Sequence, residues 1–213
     1  MMKLFNVRQA IKHIEAHDTA VIYPTVECLR GVWMTEVRIS GYGGQGVILC
    51  AMIMGRAAAL FDNKYSSLSQ AFGPEARGSS CSAQVIVDDK QILYPYLTGS
   101  DILVSMSQEA FRKFSPELRP NGMLVYESEL VKPEGLATSV KAFGIPATRI
   151  AEEGLGKIIF LNVVMVGFIT SVTGLVTKDS VRSSVSQSVP EHTIEKNLKA
   201  FDLGFEYGKK HFA

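Results

Sequence analysis

The chain has 213 residues, 46% hydrophobic and 20% charged, a composition that suits one globular domain or a domain with a small appendage and excludes disordered and collagen-like classes. Lys plus Arg at 22 against Asp plus Glu at 21 leaves a formal net charge of +1, so no field of one sign spreads over the surface to attract nucleic acid or an anionic membrane. Its three cysteines, Cys28, Cys50 and Cys81, form no C-x-x-C pair and fall one short of the thiolates an ordinary iron–sulfur cluster needs; scattered and odd in number, they point to a reducing compartment and a cytoplasmic setting.

Residues 1–33 differ in character from the rest of the chain and contain no signal-peptide pattern. They read as an N-terminal extension or the product of an upstream start, with Met34 as the native initiator and 34–213 as the domain. From Thr35 onward, strand-like and helix-like stretches alternate, the signature of a mostly parallel sheet with helices on both faces. Val37–Ser40 reads as the first strand, Val47–Phe61 as an apolar helix and Tyr65–Gln70 as the second strand. Cys81–Val87 and Ile92–Tyr94 flank a polar turn and read as an antiparallel hairpin inserted into the parallel core. Ile102–Met106 is an uncharged strand followed by a helix over Gln108–Phe114. Asn121-Gly122 reads as a turn into a strand at Met123–Tyr126. Val140–Ile145 adds a strand and Ala147–Glu153 a helix. The C-terminal region is helical: an uncharged run over Ile158–Val176, a helix capped by Thr177, and a stripe of Ile194, Leu198, Phe201, Phe205 and Gly208. The expected class is therefore α/β, Rossmann-like, with flanking helices, an inserted β-hairpin and a helical C-terminal region. The uncharged run reaches spanning length, but Asn162, Thr170, Ser171 and Thr173 within it favour a buried core or subunit-interface helix over a membrane span, with a partner chain as the expected cover.

Gly41-Tyr42-Gly43-Gly44-Gln45-Gly46 leaves a strand and opens a helix, so it satisfies G-x-G-x-x-G in the context of a phosphate-binding turn. Glycine there permits a sharp turn, close approach of backbone N–H groups to an anion, and tight helix–sheet packing. The alternative is a strand-to-helix turn without a ligand. No carboxylate ends the second strand to take ribose hydroxyls, which disfavours a plain NAD dehydrogenase. A second loop, Ala71 to Ser79, holds Glu75 and Arg77 on a turn stiffened by Pro74 and bracketed by Gly73 and Gly78. It is expected beside the glycine loop at the carboxyl ends of the strands. Arg77 there can grip a phosphate or carboxylate or anchor a partner; the alternative is a surface ion pair with Glu75. Ser107 and Gln108 form a third wall or, alternatively, a helix cap. Cys50 and Cys81 read as inert core thiols and the four histidines as solvated. No residue is assigned a catalytic or metal-binding role.

Taken together, G-Y-G-G-Q-G-V at Gly41–Val47, F-G-P-E-A-R-G at Phe72–Gly78, Tyr94-Pro95 and D-I-L-V-S-M-S-Q-E-A-F at Asp101–Phe111 resemble the gamma subunit of 2-oxoacid:ferredoxin (acceptor) oxidoreductases. Gly144–Ala147, Asn162, Thr173–Val176 and Asn197–Phe201 also fit, so the resemblance runs from Met34 to Tyr207. Details at Tyr94-Pro95 and Ser107-Gln108-Glu109 are more similar to the 2-oxoglutarate type. The resemblance implies a subunit of an enzyme that decarboxylates a 2-oxoacid on thiamine diphosphate, passes electrons through iron–sulfur clusters to ferredoxin and releases an acyl-CoA. It implies that thiamine diphosphate, Mg and the clusters belong to alpha, beta and ferredoxin-like delta partner subunits, that CoA is a co-substrate, and that this chain itself is non-catalytic. The absence of a Gly-Asp-Gly motif and the shortage of cysteines agree with that division. On this reading the glycine loop, the Gly73–Gly78 loop, Ser107 and Gln108 face an anion, CoA or a partner. A stand-alone dinucleotide-dependent reductase and a non-catalytic interaction scaffold remain the other two readings.

Overall fold

In the computed structural model, which describes residues 34–72 and 80–212, β1 (Thr35–Tyr42) runs through the middle of the sheet. Its alternation places Val37 and Ile39 on one face and Glu36, Arg38 and Ser40 on the other, and all five are buried. The described strands are β1, β2 (Tyr65–Phe72), β3 (Ser80–Asp88), β4 (Ser100–Ser105), β5 (Leu118–Glu127) and β6 (Lys141–Ile145), arranged in the order β2-β3-β1-β4-β5-β6. β1, β4, β5 and β6 are mutually parallel, whereas β3 runs antiparallel to both β1 and β2.

The inserted hairpin exists, but it is made of β2 and β3. Ile92–Tyr94 is not a strand, because both edges of β3 are already taken by β2 and β1. The Asp88 carboxylate also accepts the Lys90 N–H at 3.0 Å, which turns the chain away from the sheet. β3 lies between the first two strands, so β1 and β2 are not neighbours in the sheet. Asn121 and Gly122 do not form a turn ahead of the strand: β5 passes through them with a register irregularity against β4, and Asn121 takes φ +62°.

One face of the sheet carries most of the helical mass. There α1 (Val47–Arg56), prolonged by a π-helical turn over Ala57–Phe61, packs with α3 (Ala147–Leu155), α4 (Leu161–Thr173), α5 (Lys178–Ser188) and α6 (Ile194–Phe212). The other face holds α2 (Gln108–Phe114), which seals Leu103 and Leu124 with Phe111 and Phe114.

The uncharged run becomes α4 only from Leu161, preceded by a 3-10 turn, and Gly174 ends it in the left-handed region at φ +59°. Every residue from Leu161 to Thr170 is buried within the single chain, so the expected partner-chain cover is replaced by α1, α6 and the rest of this molecule's own core. No helix among the described residues is long and apolar enough to cross a membrane. Close approach of α4 to α6 depends on Gly167, Gly204 and Gly208. A methyl group on Gly167 would overlap the Phe201 carbonyl, one on Gly204 the Val164 carbonyl, and one on Gly208 would sit 2.8 Å from Ser171 Cβ.

α5 begins at its expected cap: the Thr177 hydroxyl accepts the Ser180 N–H. Beyond that cap, Asp62 at the end of the π-helical turn accepts the Thr177 N–H at 2.8 Å and hydroxyl protons from Thr177 at 2.7 Å and Ser180 at 2.5 Å. Partial burial raises the Asp62 carboxyl pKa, but the hydrogen bonds from Ser180 and Thr177 and the charge of Lys64 outweigh it, so the net shift is downward. A carboxyl depressed in the folded state stabilises the protein above its unfolded-state pKa of about 3.9, and that contribution is lost as pH falls through the folded value. Asp62→Asn is therefore expected to cost about 1 kcal/mol at pH 7, with solvent limiting the loss at this half-open site. Urea melts at pH 7 and pH 3 check this: the gap between the two proteins should narrow at the lower pH, and a gap that stays constant contradicts it.

Candidate functional site

The helix after β1 packs on one face of the sheet and the helix after β4 on the other, so the neighbouring carboxyl ends of β1 and β4 form a topological switch point, where open α/β sheets place ligands. The glycine loop and the Met106–Gln108 turn meet at that point. Gly44 and Gly46 adopt φ +100° and +75°, conformations that a side chain resists, and Gly46 serves as the N-cap of α1 with no side chain to satisfy the first helical N–H groups. An added Cβ at Gly44 meets nothing within 4 Å, so this position is open, while one at Gly46 would collide with the Asn162 amide. Asn162 is buried; its backbone carbonyl accepts the Cys50 thiol at 3.2 Å and its side-chain oxygen the Val163 N–H at 3.0 Å.

Gln45 sits inside the loop as a brace. Its Oε1 accepts the Tyr42 N–H at 2.7 Å, and its Nε2 donates to the Met106 carbonyl at 2.9 Å, tying the end of β1 to the end of β4. Gly41 must lack a Cβ for this, because a methyl group there would lie 2.5 Å from Gln45 Oε1. Gly43 forms the turn with Gly44. Ser107 is buried and caps α2, accepting the Ala110 N–H at 3.2 Å. Gln108 clasps the backbone of Lys132, accepting its N–H at 2.7 Å and donating to its carbonyl at 3.3 Å. The helix-cap alternative thus describes Ser107, and Gln108 anchors the loop that comes after β5.

Gly73, Pro74, Glu75, Arg77 and Gly78 lie outside the described residues, as do Cys28, His13 and His17. What the sheet shows is where their loop is rooted: Ser80 pairs with Tyr42, and Phe72 and Gly41 both pair with Cys81, so the loop leaves from the same end of the sheet as the glycine loop.

One organising residue at this end gives little sign of itself in the sequence. Glu127, the last residue of β5, is fully buried, and its carboxylate is held by backbone alone: Oε2 accepts the N–H groups of Glu129 at 2.9 Å and Leu130 at 2.7 Å, and Oε1 that of Thr148 at 3.2 Å. It fixes the loop after β5 and fills the acceptor role at the start of α3, whose own first turn has no acidic residue. Its one legible signal is a single carboxylate following the apolar stretch Met123–Tyr126.

The donor set of the described residues bears on whether a metal or cluster fits among them. Among the described residues no cluster of three or more His, Cys, Asp or Glu side chains converges where a metal could bind. Burial pushes the Cys50 thiol up to about 12, partly countered by its own backbone hydrogen bond, and also raises Cys81, so neither thiolate is available at neutral pH. The described residues do not fit a metal or a cluster. What the site offers is an uncapped helix start beside an open glycine, on a loop locked to the neighbouring strand.

Residues 36–207 match the family model described as pyruvate ferredoxin/flavodoxin oxidoreductase. A 2-oxoglutarate synthase subunit KorC from Methanocaldococcus jannaschii is 42% identical over 176 residues, 82% of this chain and 94% of the relative. The ketoisovalerate oxidoreductase subunit VorA of Methanothermobacter thermautotrophicus is 30% identical over 179 residues, 82% of this chain but 36% of the longer relative. The solved keto/oxoacid ferredoxin oxidoreductase gamma subunit from Geobacter sulfurreducens PCA superposes with a TM-score of 0.72 at 36% identity, covering 83% of this chain and 99% of that one. The motifs, the fold and these likenesses agree that the chain belongs to the pyruvate ferredoxin/flavodoxin oxidoreductase family, as a gamma subunit of a 2-oxoacid:ferredoxin oxidoreductase.

Proposed function

We propose that the chain serves a cytoplasmic oxidoreductase specific for 2-oxoglutarate, in which CoA-dependent oxidative decarboxylation yields an acyl-CoA and the electrons pass to ferredoxin. The observation that carries this reading is the 42% identity to KorC along 94% of that protein's length, higher than the 30% identity to the ketoisovalerate relative. Thiamine diphosphate, Mg and the iron–sulfur clusters then reside in the alpha, beta and ferredoxin-like delta companions. Purification from the source with untagged companions tests it. The complex should reduce a dye with 2-oxoglutarate and CoA at a higher kcat/KM than with pyruvate or ketoisovalerate; a preference for either of the latter overturns the assignment.

Within that complex, the glycine loop (Gly41, Gly43, Gly44, Gln45, Gly46), the loop of Gly73, Pro74, Glu75, Arg77 and Gly78, and the Ser107–Gln108 turn are proposed to face CoA or a companion subunit. The helix start and the Arg77 guanidinium together suit a phosphate. Loss of one charge-assisted hydrogen bond is about 1.5–3 kcal/mol, so Arg77→Ala is expected to raise the KM for CoA about 10- to 100-fold in an intact complex. Unchanged CoA dependence together with unchanged assembly disposes of the role.

A further inference from the structure

Both ends of the Gln45 amide are engaged by backbone, on opposite banks of the switch-point crevice. Oε1 accepts the Tyr42 N–H at 2.7 Å, and Nε2 donates to the Met106 carbonyl at 2.9 Å, so the side chain is arranged as a strut rather than as a ligand contact. Met106 is a firm post for it. Its own N–H donates to the Ser40 carbonyl at 2.8 Å, and its side chain is fully buried in the main core. The turn that the strut secures has an intrinsically permissive backbone: Gly44 and Gly46 take positive φ, and glycine populates both signs of φ about equally. The Gln45 N–H closes the first half of that turn on the Tyr42 carbonyl at 3.1 Å. Between Gly44 and α1 no side chain caps the helix start, and a Cβ at Gly44 meets nothing.

From this strut we infer that Gln45 is a positioning residue for CoA: it does not touch the co-substrate, but it fixes the glycine turn so that backbone N–H groups are gathered in advance for a phosphate. Ordering a flexible turn costs conformational entropy, and a turn tied before binding relieves the ligand of that cost. When the strut is cut, the cost falls on CoA and appears in its KM. Binding of the 2-oxoacid, which reacts on the thiamine diphosphate of the companions, does not depend on the turn. The inference rests on the proposed CoA reading of this loop.

Wild-type, Gln45→Ala, Gln45→Glu and Arg77→Ala chains are to be assembled with their native companions, and dye reduction measured against CoA and against 2-oxoglutarate. Gln45→Ala should raise the KM for CoA about tenfold, the effect of freeing roughly one residue of backbone. The KM for 2-oxoglutarate, and kcat at saturating CoA, should stay within about threefold of wild type. Gln45→Glu is the milder change. It keeps an acceptor for the Tyr42 N–H but turns an oxygen toward the Met106 carbonyl, so it should show a rise of the same kind. A purely structural role would lower the yield of complex, or shift the constants for both substrates, without an effect confined to CoA. In whichever Gln45 variant assembles, an unchanged KM for CoA or equal changes for the two substrates overturns the inference, as does failure of both to assemble. Arg77→Ala separates this from failure of the reading beneath it. A raised KM for CoA there, beside unchanged Gln45 variants, overturns the inference alone; no change in any of the three overturns both.

Discussion

Gly204→Ala should destabilise the chain by about 3 kcal/mol or more, which for a protein of this length lowers Tm by about 6–12 °C. The added methyl group has no room: it would sit on the Val164 carbonyl of α4, and the facing glycine, Gly167, is just as closely opposed to the Phe201 carbonyl of α6. Backbone on one side and backbone on the other leaves no flexible side chain to yield, so the two helices must separate. Separation then opens the core around Phe168 and Phe201, both fully buried. Calorimetry or a urea melt reads the effect directly. Gly156→Ala is a useful comparison: a Cβ there meets nothing within 4 Å, but φ is +72°, so its cost is backbone strain alone. A Gly204→Ala protein melting within about 2 °C of wild type would mean that the α4–α6 crossing tolerates expansion and that its close packing is not what holds it.

Glu127→Ala should be the second large loss, about 3 kcal/mol or more, because it leaves the N–H groups of Glu129, Leu130 and Thr148 without their acceptor. Glu127→Gln should be intermediate. It keeps one oxygen acceptor but aims an NH2 group at the remaining donors. Beyond global stability, the amides of Leu130 and Thr148 should exchange with solvent much faster in Glu127→Ala than in wild type. A variant with wild-type stability and unchanged exchange at both amides would show that the carboxylate is dispensable to the loop after β5 and to the start of α3.

Local chemistry makes the glycine loop, α2 with its Ser107 cap, the Thr177 cap and the stripe of α6 readable before any fold is known. In each case the informative residues lie within a few positions of one another, or repeat at a helical period. Pairing between distant segments is not readable. Nothing in Ser80–Asp88 announces that it runs between β1 and β2, because an apolar strand with two free edges looks the same whichever neighbours it finds. Gln45 and Glu127 are opaque for a related reason. Gln45 bonds to Met106, 61 positions away, and Glu127 to Thr148, 21 positions away, so their bracing roles exist only once the sheet has assembled. The α4 run is read as a buried core or interface helix, and it is this chain's own core rather than a partner that covers it, since no local pattern distinguishes a surface hidden by a partner from one hidden by the same chain's later helices.

The uneven layering of helices has a consequence for how the molecule comes apart. Leu103, Leu124, Phe111 and Phe114 form a small apolar island under one short helix, whereas α1 and α4 are anchored in the main core. Opening free energies scale with the buried apolar surface that each unit must expose. The Ser107–Gln108 bank of the switch-point crevice therefore rests on the smaller of the two apolar clusters, and its amides are expected to exchange with solvent faster than those of the bank carrying the glycines.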